Sequence, residues 1–346
     1  MPEVQVAAVG LAERASNIRE TMMEHHRTLD EIGFYTLSER RAATASRWSR
    51  LIRCEVLVTG RCNFRCPYCR RVGGPDLPAS RVLRMLDRWS ADRLFAVRFS
   101  GGEPMLHSEL ELMVAHARRR GVERIAISTN GSMPWSQYER ILTAGVNDAS
   151  VSLDACCAED GDRMAGGVKG AWRKVVENIA ALARRIYTTV GVVVTPEMGN
   201  SVNSIVRLAA DLGVHDVRVI PSAQSDDKLR NVAVDADLLA RFPILRYRIE
   251  NMLAGKRVRG LLPTDACRCG LVLDDMAVMG DEHWPCIIYL REGGAPIGKL
   301  GGDERVQRVM WSATHDILVD PICARNCLDV CAHYNKALEE AQEEIT

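Results

Sequence analysis

A regular strand–helix alternation begins near residue 53 and continues to about residue 222, and it restricts the fold more than any other property of the chain. Six short runs rich in Val, Ile or Phe read as strands: Cys54–Thr59, Phe95–Ser100, Arg124–Thr129, Ala149–Asp154, Thr189–Thr195 and Asp216–Pro221. Such runs suit parallel strands buried on both faces. Amphipathic stretches at helical spacing separate them: Arg81–Trp89, Ser108–Arg120, Trp135–Ala144, Ala171–Arg185 and Ser201–Leu212. Ser108 and Ser201 stand where helix starts need a capping oxygen. Gly121, Gly145 and Gly213 fall where helices should stop. The pattern predicts an α/β fold, a partial (β/α)6 parallel barrel or open part-barrel.

The rhythm breaks near Ser222. Gln224–Val234 is polar and reads as a linker, followed by a helix over Ala236–Ala254, then Gly- and Pro-rich loops with six cysteines, then a charged helix over Tyr334–Glu343. The expected organisation is a helical extension over 1–49, a barrel core over 50–222 and a small cysteine-rich α+β domain over 223–346. Residues 1–49 look helical and mostly polar, and read as a brace on the main domain or as a substrate or partner module.

Parallel barrels build their sites at the C-terminal ends of strands. Four such ends carry unusual residues here. The first leads into Cys62-Asn-Phe-Arg-Cys66-Pro-Tyr68-Cys69, the second ends in Ser100-Gly101-Gly102-Glu103-Pro104, the third in Ser128-Thr129-Asn130-Gly131 and the fourth in Ser152-Leu153-Asp154. Three thiolates in a C-x3-C-x2-C spacing leave one iron of a [4Fe-4S] cluster without a protein ligand, because such a cluster usually takes four cysteines. The open iron can bind a substrate or cofactor. A zinc knuckle is the plainer alternative. For Gly101–Pro104 the plainer alternative is an ordinary turn, and for Ser128, Asn130, Ser152 and Asp154 it is helix capping.

The cysteine spacing, the aromatic Tyr68 before the last cysteine and the Gly-Gly-Glu-Pro run resemble the radical SAM superfamily, over about residues 53–222. The resemblance implies that Cys62, Cys66 and Cys69 hold a [4Fe-4S] cluster whose open iron chelates S-adenosyl-L-methionine. It implies reductive cleavage to a 5′-deoxyadenosyl radical, with an electron from a flavodoxin- or ferredoxin-type reductant. Gly101, Gly102 and Glu103 would take the cofactor's amino group. Ser128, Asn130, Ser152 and Asp154 would take ribose and carboxylate. Arg163 would pair with the carboxylate and the backbone at Ile220 would line the adenine site; a solvated arginine and core packing are the alternatives. Where family members often have Gly after the Ser-x-Asp triplet, this chain has Ala155, Cys156 and Cys157. Those thiols read either as small buried groups or as hydrogen-atom donors.

Residues 267–331 hold Cys267, Cys269, Cys286, Cys323, Cys327 and Cys331. Cys269, Gly280, Cys286 and the terminal cysteine group resemble the SPASM extension of radical SAM enzymes, and more closely its short twitch form. The resemblance implies one auxiliary [4Fe-4S] cluster, on Cys269, Cys286, Cys323 and Cys327, with Cys331 competing for either of the last two places. Two clusters, or a zinc site, which also favours four cysteines, remain alternatives. The segment from His283 to Gly294 is expected to form a hairpin that supports the cluster, with His283, Tyr289, Arg291 and Glu292 as substrate-contact candidates.

Acidic and basic residues balance at zero net charge, which argues against a dedicated nucleic-acid binder. No apolar stretch is long enough to span a membrane. Met1–Arg19 mixes Glu and Arg with apolar residues and lacks a leader core, so a cytoplasmic location is expected. The twelve cysteines then read as metal ligands rather than disulfides. The functional expectation is hydrogen abstraction from a small-molecule substrate (a sugar, aminocyclitol or nucleoside), leading to oxidation, epimerisation or rearrangement. A peptide- or nucleotide-modifying enzyme, and a non-catalytic iron–sulfur scaffold or electron carrier, are the other readings.

Overall fold

Six parallel strands follow one another across the sheet in chain order: β1 (Arg53–Thr59), β2 (Ala96–Gly101), β3 (Arg124–Thr129), β4 (Asp148–Ser152), β5 (Tyr187–Val194) and β6 (Asp216–Pro221). The computed structural model describes residues 38–198, 201–224 and 232–343. Most of the helical segment expected over 1–49, and of the linker expected at Gln224–Val234, therefore lies outside the described residues. The crossovers run through helices Ala79–Ala91, Leu110–Arg119, Trp135–Ala144, Ala171–Ala183 and Ser201–Asp211. This is the partial parallel barrel that the alternation predicts.

Two helix starts differ from expectation. Ser108 does not cap the second crossover helix, which begins at Leu110 behind Glu109. The turn is held instead by His107, whose Nδ1 accepts from Glu109 N at 3.1 Å. Ser201 is the first helical residue, and its hydroxyl donates to Met198 O at 2.5 Å. A short helix at Ala158–Met164 follows β4, where the sequence pattern gave no helical stretch.

The C-terminal segment does not stop at the barrel's side. β7 (Asp275–Met279) pairs parallel with β1, opposite to β2. A two-residue turn at Gly280-Asp281 leads to antiparallel β8 (Glu282–Trp284), and β9 (Gly298–Lys299) closes the sheet. The expected hairpin over 283–294 is absent. Pro285 has no N–H to continue the ladder, and Cys286 starts the helix Ile287–Arg291, its sulfur accepting from Tyr289 N.

The strands segregate their faces. Cys54, Val56 and Val58 of β1, Val97 and Phe99 of β2, Ile125 and Ile127 of β3 and Val217 and Val219 of β6 join one apolar cluster with the crossover helices. Each such fully buried side chain contributes about 1.5–3 kcal/mol. The alternate positions are polar: Glu55, Arg98, Ser100, Ser128, Asp148, Ser150, Ser152 and Arg218. Closed (β/α)8 barrels fill this space with branched apolar side chains. Here it is a polar lumen. Buried Asp216 accepts from Ile244 N at 3.0 Å and so anchors the helix Pro243–Leu253 to the start of β6. Arg41, on the helix Glu39–Thr44, grips Asp274 through two bonds of 2.7 and 2.5 Å.

Candidate active site

The loop after β1 carries Cys62 and Cys69 exposed and Cys66 half-buried. Its shape is set by hydrogen bonds to its neighbours. Cys62 Sγ accepts from Phe64 N at 3.4 Å. Asn63 donates to Ser132 at 2.8 Å and accepts from Asn130 at 2.9 Å, tying the loop to the end of β3. Burial pushes the Cys66 thiol up to about 12, and it raises Cys62 as well, so both favour the protonated thiol until a positive charge compensates the thiolate.

The glycine run after β2 packs directly on this loop. A Cβ at Gly102 would lie 2.1 Å from the Arg61 carbonyl oxygen, and one at Gly101, whose φ is +149°, 2.3 Å from that of Thr59. No larger residue fits either place without moving backbone. The contact is cemented by Gly102 N to Thr59 O and Glu103 N to Arg61 O, both 2.8 Å. Glu103 is fully buried and does not line the cavity. Its carboxylate accepts from Asn130 N (2.6 Å), Thr129 Oγ1 (2.7 Å) and Met105 N (3.1 Å). Burial pushes it up to about 7 despite these donors. It braces the ends of β2 and β3 from within.

A cavity of about 420 Å³ opens beside the thiols. Its walls include Cys62, Cys66, Tyr68 and Cys69, Gly101 and Gly102, Ser128 and Asn130, Ser152 and Asp154, and Ile220. The loops after β1 to β4 and the end of β6 thus meet on one rim. Tyr68 OH donates to Asp154, whose second oxygen accepts from Val193 N at 2.8 Å. Burial pushes the Asp154 carboxyl up to about 6. Arg163 stands apart: it is exposed, pairs with Asp160, and faces a neighbouring groove that also holds Cys156. Cys157 donates to Asp160 at 3.4 Å.

The second cysteine field gathers half-buried thiols from distant parts of the segment. Burial pushes Cys269 up to about 12, with the nearby Cys331 adding to the effect. Burial likewise raises Cys286, helped by Cys331 and Cys269, and Cys323, helped by Cys269 and Cys286. Cys327 donates to Cys331, which raises the first thiol and lowers the second. These pairwise effects link five sulfurs, those of Cys269, Cys286, Cys323, Cys327 and Cys331, into one group. Both sulfur sets suit an iron–sulfur cluster, since each is all-thiol and soft. Among the described residues one set of three metal-capable ligand atoms lies mutually within 4.8 Å, His315, Asp320 and Cys323, the last shared with this cysteine field. Its Asp320 is already engaged, by Ile322 N, Cys323 N, Tyr289 OH and His315.

Of the substrate-contact candidates, Arg291 and Glu292 line the cavity. Tyr289 is buried against Trp284 and Leu290, and His283 is fully buried and does not line the cavity. Asn63, Ser132, Ser150 and Arg259 were not singled out from sequence. Ser150 was accessible there, two residues before Ser152 on the same strand face. Asn63 and Arg259 gave no local signal.

Residues 56–209 match the family described as the radical SAM superfamily. The chain is 35% identical over 133 residues to a GTP 3′,8-cyclase of Pelotomaculum thermopropionicum, covering 35% of this chain and 40% of the relative. It is 34% identical over 110 residues to one of Staphylococcus aureus, covering 28% and 32%. The chain thus spans well under half the length of these curated relatives. Its fold is similar to that of Streptococcus suis SuiB (TM-score 0.55, 14% identity, 80% of this chain and 67% of that one). It is also similar to that of anSMEcpe with bound AdoMet (TM-score 0.54, 15% identity, 85% and 97%). Among the described residues no helix is long and apolar enough to cross a membrane.

Proposed function

The chain belongs to the radical SAM superfamily, and from that premise we propose that it is a radical enzyme that removes a hydrogen atom from a small polar substrate held in the barrel lumen. The observation that carries this reading is the common cavity of Cys62, Cys66 and Cys69 with the Gly101–Gly102 turn and the polar ends of β3 and β4. When bound, the [4Fe-4S] cluster and S-adenosylmethionine supply the electron and the 5′-deoxyadenosyl group for that abstraction.

In this reading Cys62, Cys66 and Cys69 are the ligands of the first cluster. The carbonyls of Gly101 and Gly102 accept from the cofactor's ammonium group. Ser128, Asn130, Ser152 and the Tyr68–Asp154 pair orient its ribose and carboxylate, and the backbone at Ile220 borders the adenine. Glu103 acts through Asn130 and Thr129 and is a positioning residue. Ligands for an auxiliary cluster come from Cys269, Cys286, Cys323, Cys327 and Cys331. The division into a core (50–222) and an auxiliary unit (223–346) is part of the proposal, with a flavodoxin- or ferredoxin-type protein as electron donor.

The matched relatives are named for a reaction of GTP, and SuiB has been solved with a precursor peptide. Within the expected substrates the nucleoside end therefore has support, whereas sugars and aminocyclitols have none from either comparison. A cavity of about 420 Å³ is of the size that takes a small molecule. The test is anaerobic: reconstituted, dithionite-reduced protein is given S-adenosylmethionine and assayed for 5′-deoxyadenosine. Formation that Cys66→Ala abolishes supports the reading. Absence in the wild type, or retention in the variant, defeats it.

A further inference from the structure

The second cysteine field brings five sulfurs together, and a [4Fe-4S] cluster takes four. One thiol is therefore left over. Every pair among Cys269, Cys286, Cys327 and Cys331 interacts electrostatically, which is the pattern of four ligands around one cluster. Cys323 interacts with Cys269 and Cys286, and its thiol also donates to the carboxylate of Asp320. The Cys323 sulfur, a carboxylate oxygen of Asp320 and a ring nitrogen of His315 lie within 4.8 Å of one another.

These three side chains are held in place from outside the set. His315 directly follows the helix Glu304–Thr314. Trp311, one turn earlier, stacks on the imidazole with ring centroids 4.2 Å apart and 20° between the planes. Tyr289 meets the same imidazole edge-on at 6.1 Å. Asp320 precedes the helix Pro321–Asn326, and its Oδ1 accepts from Ile322 N at 2.9 Å and Cys323 N at 2.7 Å. Its Oδ2 lies 3.1 Å from His315 Nε2 and accepts from Tyr289 OH at 3.1 Å. Ligating carboxylates and imidazoles are oriented by partners of this kind. The His315 and Asp320 side chains are 26% and 10% exposed, so an ion and a water can reach the set from solvent.

We propose that His315, Asp320 and Cys323 form a mononuclear zinc site, and that Cys269, Cys286, Cys327 and Cys331 are the ligands of the auxiliary cluster. An imidazole, a carboxylate and a thiolate together suit zinc among the first-row ions. Zinc–ligand bonds of about 2.0–2.3 Å put tetrahedral ligand atoms roughly 3.5 Å apart, so side-chain rotation closes the set. The ion replaces the His315–Asp320 hydrogen bond, the Cys323 thiol gives its proton to solvent, and water fills the fourth position. Cys327 ends the helix that Cys323 opens. Zinc at the start of this helix therefore fixes the element that delivers a cluster ligand at its end. The zinc site does not rest on the radical SAM reading; the allotment of the other four thiols does.

The test uses the full chain, loaded anaerobically with iron and sulfide, freed of unbound metal and titrated with zinc chloride. Zinc, iron and sulfide per chain are then measured. The expected result is about one zinc bound with about eight irons retained. His315→Ala and Cys323→Ser should each weaken zinc binding about tenfold or more, the loss that removing even a partner of a ligand brings, and both should keep the iron. His315→Ala leaves the cysteine field whole, so it keeps the test decisive where Cys323→Ser fails to fold. No stoichiometric zinc on the iron-loaded chain, zinc that neither folded variant weakens, or loss of about four irons in folded Cys323→Ser overturns the proposal. Zinc bound through His315 in a chain that takes only about four irons would overturn the auxiliary cluster and leave the zinc site standing.

Discussion

Arg291 Nη2 donates to the carbonyl oxygen of Gly101 at 3.0 Å. One turn of helix separates Arg291 from Cys286, so the auxiliary cysteine field reaches the glycine turn of the first site through five residues. Glu292 extends the link by pairing at 3.2 Å with Arg70, the neighbour of Cys69. The Gly101 carbonyl is also the acceptor proposed for the cofactor's ammonium group. Arg291 therefore competes for it.

Arg291→Ala should tighten S-adenosylmethionine binding to the reconstituted protein. The carbonyl would lose a donor and gain more from the ammonium, and a hydrogen bond's net worth of about 1 kcal/mol corresponds to roughly fivefold. Equilibrium dialysis with labelled cofactor reads this. Weaker binding would mean that Arg291 helps to hold the cofactor, and the competition argument would fail.

Gly102→Ala should cost the first cluster. Its Cβ would need space that the Arg61 carbonyl occupies, so the β1 loop must shift and the three thiols with it. About four irons per chain should be lost, with circular dichroism close to wild type. Gly73→Ala is the control, because nothing lies within 4 Å of its Cβ position. Full iron content in Gly102→Ala would show that the loop tolerates displacement.

The barrel was legible because each of its strands is a compact run of Val, Ile or Phe between helices at clear spacing. The rim was legible for the same reason, since strand ends fix where loops converge. What lay hidden depended on contacts across the chain. Asp275–Met279 reads as a short mixed segment, and nothing local says that it adds to β1. Ile287–Arg291 is apolar enough for a strand, and only Cys286 as a cap and Pro285 as a breaker make it helical. Glu103 belongs to a recognisable motif, yet its burial beneath Asn130 is a property of the folded rim. Arg98 and Arg218 were visible as charges within strands; that both face one lumen required the curvature of the sheet.

Cys267→Ser should keep all the auxiliary iron, whereas Cys286→Ser should lose it. Cys267 lies two residues from Cys269, and two cysteines so spaced are not expected to bind the same cluster, whereas Cys286 interacts with Cys331 and Cys269. The measurement is iron and sulfide per chain after reconstitution, in a Cys62→Ala, Cys66→Ala, Cys69→Ala background that isolates the second site. Equal loss in both variants would show that Cys267 is a ligand as well.

Asp216 gives the last prediction. Burial pushes its carboxyl up to about 7, against the pull of backbone donors from Ile244, Val217 and Leu245. The folded protein therefore binds this proton more tightly than the unfolded chain, whose carboxyl titrates near 3.9. The associated stability is fully present below about pH 4 and is lost as pH rises to about 7, after which it changes no further. The melting temperature of the cluster-free protein should thus fall between pH 5 and 7 through this group, among others. Asp216→Asn removes the titration and should flatten that fall. Glu103 and Asp154 titrate in the same range, so the informative quantity is the difference in slope between wild type and variant. With each kcal/mol worth roughly 2–4 °C in a domain of this order of size, differential scanning calorimetry resolves it. Identical slopes would mean that the Asp216 carboxylate is better solvated than its burial beneath the helix Pro243–Leu253 implies.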